Sequence, residues 1–97
     1  MIEIKNIEGF EWDEGNLDKN FSKHGVLNKE CEEVFKNSPL YINNDQLHST
    51  KYEQRYQALG KSDKGRNLFI SFTVRKNKIR IISARDMSKN ERTKYYD

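Results

Sequence analysis

The sequence predicts an α+β fold: two N-terminal helices packed on a small, mainly antiparallel β-sheet, with a short C-terminal helix. Three observations predict it. Apolar residues recur at helical spacing up to Pro39, strand alternation replaces that spacing from Leu40 onward, and Ser88-Lys89-Asn90-Glu91 forms a capping box near the C-terminus. At 97 residues the chain is expected to form one domain, residues 1–97.

The first helix is expected after Phe10-Glu11-Trp12-Asp13. Asp13 caps it, Leu17, Phe21 and His24 fall at i, i+4 and i+7, and Gly25 stops it, because glycine takes the left-handed conformation without steric cost. A second helix begins near Asn28 with an apolar stripe of Leu27, Cys31, Val34 and Phe35, and Ser38-Pro39 closes it. The short link between them predicts an antiparallel or steeply angled pair. Leu40-Tyr41-Ile42 reads as a short extended run, and the stretch from Asn43 to Lys51 as a polar loop containing His48, which has no motif around it. Residues Met1 to Glu8 are expected either to add an edge strand or to trail.

Tyr52 to Gly60 alternates, with Glu53, Arg55 and Gln57 on one face and Tyr56 and Ala58 on the other. Ser62-Asp63-Lys64-Gly65 is a turn. Asn67–Val74 and Lys78–Ala84 flank Arg75-Lys76-Asn77-Lys78 as a hairpin. With Lys76-Asn77 as its two-residue loop, Thr73 faces Arg80 and Val74 faces Ile79. Leu68, Ile70, Phe72, Val74, Ile79 and Ile81 then share the face that meets the helices. Ser71, Thr73 and Arg80 take the open face, where Arg55 and Glu53 join them; a one-residue shift of the turn would invert this.

Composition narrows the function classes. The chain is 34% hydrophobic and 34% charged, yet its 11 aromatic residues (five Phe, five Tyr, one Trp) supply a core and argue against disorder. No run of apolar residues is long enough for a membrane span, and the start, Met1-Ile2-Glu3-Ile4-Lys5, lacks the pattern of a signal peptide, so a cytoplasmic protein is expected. The single cysteine, Cys31, falls on the buried stripe and fits a reducing compartment. One Cys and two distant His supply no metal-ligand spacing, so neither a metal site nor a cofactor is expected. The net charge of +3 conceals an asymmetry: residues 1–49 hold five Lys/Arg against ten Asp/Glu, whereas residues 50–97 hold thirteen against five. A basic half of this kind points to an anionic partner, nucleic acid or an acidic protein; the plainer reading is that Lys and Arg keep the surface soluble.

A set of short motifs adds to this reading. Phe10-Glu11-Trp12-Asp13 is followed by Asn20 and Lys23-His24-Gly25-Val26, then by Glu53, Arg55, Ala58-Leu59-Gly60-Lys61-Ser62 and Gly65-Arg66. Ile79-Arg80-Ile81-Ile82-Ser83-Ala84-Arg85 and Glu91-Arg92 with Tyr95 complete the series. Their order and spacing resemble the BrnT family, ribonuclease toxins of bacterial type II toxin–antitoxin systems whose fold is similar to that of RelE. The resemblance runs from about Phe10 to the C-terminus. It implies metal-independent RNA cleavage and translation arrest. It also implies neutralisation by a cognate ribbon-helix-helix antitoxin (BrnA-like), through which the pair reaches operator DNA.

The chemistry of such cleavage selects candidate residues. The ribose 2′-hydroxyl must lose a proton, the phosphorane must be neutralised, and the leaving 5′-oxygen must gain a proton. Arginine suits the second task because its planar fork binds two phosphate oxygens and stays charged. Arg55 and Arg80, with Arg85 at the strand end, are the candidates; for each the competing role is a solvated or structural arginine. Glu53 acts either as base or as the carboxylate that orients an arginine. Lys23 binds phosphate or donates the proton, or else serves as a favourable cation at a helix C-terminus. His24, Trp12 and Tyr95 are candidates for substrate contact, by proton exchange or base stacking, against ordinary core roles for each. A second hypothesis is a binding module of the same fold that grips RNA or an acidic protein without cutting. A DNA-binding regulator acting alone is disfavoured, because Glu30, Glu32 and Glu33 make the second helix acidic.

Overall fold

A computed structural model describes residues 7–12 and 24–96. In chain order the elements are β1 (Gly9–Glu11), α1 (Asn28–Val34), β2 (Tyr41–Asn44), β3 (Arg55–Lys61), β4 (Asn67–Arg75), β5 (Lys78–Asp86) and α2 (Lys89–Tyr96). The five strands form one sheet in the order β1-β5-β4-β3-β2; β1 runs parallel to β5 and the other pairings are antiparallel. The α+β class and the mainly antiparallel sheet are therefore as expected. The helix arrangement differs: the described residues contain one N-terminal helix, α1, and the C-terminal α2. The first helix expected, from Asp13 to His24, falls on residues 13–23, which lie outside the described residues.

Alternation in β4 and β5 makes the core. Leu68, Ile70, Phe72, Ile79, Ile81 and Ala84 are all at most 1% exposed and point to the face covered by α1, which contributes Cys31 and Val34. Burial pushes the Cys31 thiol up to about 12, so it remains a neutral core atom. The stripe of α1 departs from the expected one in one residue. Leu27 is 51% exposed, and Val26 is buried in its place. Leu27 instead stands at the N-terminus of α1, where its backbone N–H donates to Glu30 Oε1 at 3.0 Å. The helix meets β3 at Gly60, where an added Cβ would lie 2.7 Å from Val34 Cγ1.

The hairpin turns through Lys76 and Asn77, both left-handed (φ 54° and 64°), the twist that suits a two-residue hairpin loop. The register is the one the sequence predicts: Thr73 faces Arg80 and Val74 faces Ile79. A bulge then intervenes. Phe72 pairs with Ile81 and Ser71 with Ser83, so Ile82 has no partner across the strand. Beyond it every β5 side chain is displaced by one position, which carries Ala84 into the core and turns Arg85 to the opposite face.

Among the described residues, the opposite face is covered at one end, by α2. Tyr95 of α2 packs with Leu59 and Met87 over Phe69 and donates its hydroxyl to Pro39 O at 2.5 Å. The capping box forms as expected, with Ser88 N donating to Glu91 Oε1 (2.8 Å) and Glu91 N to Ser88 Oγ (3.2 Å). Glu91 also takes a bidentate ion pair from Arg85 (2.7 and 2.9 Å), whose guanidinium lies 4.1 Å from the Phe69 ring centroid. On the other side of the molecule Arg66 binds Asp86 through two nitrogens (2.7 and 3.1 Å), reaches Glu30 (3.2 Å), and donates to the carbonyls of Gly25 (2.8 Å) and His24 (3.1 Å).

Two stability measurements test this arrangement. Gly60→Ala forces apart a stiff, buried valine and a central strand; thermal unfolding should show a loss of about 1–3 kcal/mol. The Arg85 hydrogen bonds hold the Glu91 carboxyl below its ordinary value. The stability it contributes is therefore complete above the unfolded carboxyl pKa of about 4.3 and is lost as pH falls through the lower folded value. Glu91→Gln should cost roughly 0.5–1 kcal/mol at pH 7. The gap between variant and wild type should close as unfolding is followed down from about pH 4.5.

Candidate active site

The register brings one row of side chains onto the part of the sheet that α2 does not cover. Arg55 faces Thr73, Thr73 faces Arg80, and Arg80 faces Glu11 of the parallel strand β1. Strands lie about 4.8 Å apart, so the two arginines start from backbones roughly 10 Å apart on either side of Thr73. Thr73 itself is 3% exposed and its hydroxyl donates to Gln54 O at 2.7 Å. The adjoining row, Gln57, Ser71 and Ser83, is polar as well.

Each arginine has a carboxylate beside it. Glu53 Oε1 accepts from Arg55 Nε at 2.9 Å, and its Oε2 lies 3.8 Å from Arg75. Glu11 Oε1 stands 3.9 Å from Arg80. The Arg55 and Arg80 side chains are 33% and 22% exposed, so both guanidinium groups reach solvent while their stems are packed. Glu53 bridges Arg55 and Arg75.

The remaining candidates do not gather here. Arg85 is two rows away, about 13 Å along the strand, and its fork is engaged by Glu91 and by the Phe69 ring, so it holds α2 to the sheet. Tyr95 is 2% exposed under α2, which closes its ring to a base. Trp12 donates its indole N–H to Glu32 Oε2 at 2.8 Å and packs on the core, tying β1 to α1. His24, expected on a buried stripe or in contact with substrate, is exposed, and its carbonyl is an acceptor for Arg66. Lys23 lies outside the described residues.

One pair on this face was not singled out from the sequence. Asp45 extends the β2–β3 ladder by one step: its N–H donates to Arg55 O at 2.8 Å, directly opposite Arg55. Parity along β2 then puts Asp45 on the same face as Arg55 and Gln57. Its carboxylate binds His48 Nδ1 at 2.8 Å and the His48 N–H at 3.3 Å. Burial works to raise the Asp45 carboxyl, but the His48 hydrogen bonds, with a further one from Gln57, outweigh it and hold the group below its ordinary value. Asp-x-x-His is the only sequence signal, and it is common in polar turns.

Among the described residues, no three His, Cys, Asp or Glu side chains gather as metal ligands, and no helix is long and apolar enough to cross a membrane. Comparison with curated proteins gives no match. The chain is similar in structure to the crystal structure of the Brucella abortus ribonuclease toxin BrnT, with a TM-score of 0.61 and 21% sequence identity, over 84% of this chain and 97% of that one. At that identity the likeness concerns the fold. A family model described as the ribonuclease toxin BrnT of type II toxin–antitoxin systems matches residues 12–91. This match runs from the residue after β1 into the first turn of α2, well over half of the chain, so the chain belongs to the BrnT family of ribonuclease toxins, enzymes that cut RNA within type II toxin–antitoxin systems.

Proposed function

We propose that this ribonuclease cuts RNA without a metal ion, by attack of the ribose 2′-oxygen on the adjacent phosphorus. The observation that carries the reading is the row Arg55–Thr73–Arg80, which presents two guanidinium groups to the same side of the sheet. In this mechanism the 2′-hydroxyl loses its proton as the O2′–P bond forms. The P–O5′ bond breaks, and the products carry a 2′,3′-cyclic phosphate and a 5′-hydroxyl. Arg55 and Arg80 bind the non-bridging oxygens, whose negative charge grows as the phosphorane forms, and so stabilise the transition state more than the substrate. Glu53 keeps the Arg55 fork in one orientation.

Cleavage of messages in the cytoplasm would arrest translation, and a cognate antitoxin would stop it by covering the same face. A partner with a ribbon-helix-helix domain would supply the contact with operator DNA. Glu30, Glu32 and Glu33 make α1 unsuited to touching phosphates itself.

The test is cleavage of an end-labelled RNA in excess chelator by wild type and by Arg80→Ala. Wild type should yield 2′,3′-cyclic ends, and Arg80→Ala should be slower by on the order of 10²–10³-fold, the usual loss when one charge-stabilising donor is removed. Equal rates would remove Arg80 from the site. RNA binding without cleavage by wild type would favour a binding module of the same fold.

A further inference from the structure

We propose that His48, held by Asp45, is the general base that takes the 2′-hydroxyl proton on this face; the inference rests on the RNA-cleaving reading above. Cleavage needs a group that exchanges a proton near neutral pH beside the phosphate-binding arginines. The carboxylates of the face are already committed. Glu53 is an acceptor for Arg55 and sits beside Arg75, Glu11 sits beside Arg80, and Asp45 accepts from His48. The described residues of this face include one imidazole, His48, and imidazole changes charge near neutral pH.

The geometry orients it for that task. Asp45 is ionised and can only accept, so the proton on its contact with His48 belongs to Nδ1. In the neutral ring the other nitrogen, Nε2, carries the lone pair. The side chain is 60% exposed while that of Asp45 is 8% exposed: a buried carboxylate grips one edge of the ring and the rest of the ring reaches solvent. The same division of labour, carboxylate on Nδ1 and lone pair on Nε2, makes histidine a base in catalytic triads.

The loop is also fixed relative to Arg55. Ser49 Oγ donates to Asp45 O (2.6 Å) and accepts from Arg55 N–H (2.8 Å) and from Gln54 Nε2 (2.9 Å). Thr50 N donates to Glu53 O at 2.8 Å, and Thr50 Oγ1 accepts from Glu53 N at 3.0 Å. The loop that carries His48 is thus stitched to the first residue of β3, the residue whose guanidinium would bind the scissile phosphate.

In the step itself, the O2′–H proton passes to Nε2 as O2′ bonds to phosphorus. O5′ departs with the electrons of the P–O5′ bond and is protonated by water, and the imidazolium returns its proton to solvent.

The experiment compares wild type, His48→Ala and Arg80→Ala on the same RNA in chelator, with thermal unfolding as the check on folding. His48→Ala should lower kcat by about 10²–10⁴-fold with KM within about twofold, and added imidazole should restore part of the rate. Imidazole should not rescue Arg80→Ala. An RNA with sulfur replacing the leaving 5′-oxygen, which needs no acid to depart, should leave the His48→Ala defect unchanged; removal of that defect would assign His48 as acid and overturn the proposal. A His48→Ala enzyme as fast as wild type would overturn it while leaving the RNA-cleaving reading intact. A wild type that does not cleave RNA would overturn that reading and the proposal with it.

Discussion

The face on which Arg80 and Arg85 lie follows from the pairing of β4 with β5, and that pairing contains an irregularity. Side chains alternate along a strand with a period of two, so a regular β5 that places Ile79 and Ile81 in the core would also turn Ser83 and Arg85 inward. The bulge at Ile82 resets the count. Ala84 enters the core, and Arg85 emerges on the face it shares with Arg80. A guanidinium driven into the apolar layer among Leu68, Ile70 and Phe72 would cost several kcal/mol unless it found a buried partner. The extra residue avoids that cost and supplies the ion pair that docks α2.

The same sheet sorts the charges. Glu30, Glu32 and Glu33 belong to the helix on the core face, and each has local work. Glu30 meets Arg66 and the start of its own helix, Glu32 holds the Trp12 indole, and Glu33 accepts from the Asp63 backbone at 3.0 Å. Arg55, Arg75 and Arg80 belong to the other side. On that face each arginine stands beside a carboxylate, Arg55 and Arg75 beside Glu53 and Arg80 beside Glu11.

The ends of that face are set by different interactions. At one end α2, anchored by Arg85–Glu91 and by the Tyr95 hydroxyl, covers Leu59 and Phe69 and limits the exposed sheet. At the other, the loop from Asp45 to Gln54 folds back on Arg55 through side chains of Ser49 and Thr50. Between them lie arginines with packed stems and solvent-facing forks over a floor of Thr and Ser.

Local pattern alone determined much of this protein. Alternation identified the strands, the capping box identified α2, and the Lys76-Asn77 loop set the register that puts Thr73 against Arg80 and both on the face of Arg55. The motif series pointed to the BrnT family. These are properties of neighbours in the chain, and neighbours are what a sequence displays. Tertiary structure decided the rest. The edge strand at Gly9–Glu11 depends on a partner some seventy residues away, and its three residues carry no alternation to read. Arg85 read as a third candidate behind Arg55 and Arg80, and Tyr95 as comparable with Trp12; in the fold Arg85 pairs with Glu91, Tyr95 is buried, and Trp12 bonds Glu32. Asp45 and His48 read as an ordinary polar turn, because the place of Asp45 opposite Arg55 depends on a ladder that continues one step past the strand. Which side chains converge is set by register, bulges and docking, and each of these is a relation between segments distant in sequence.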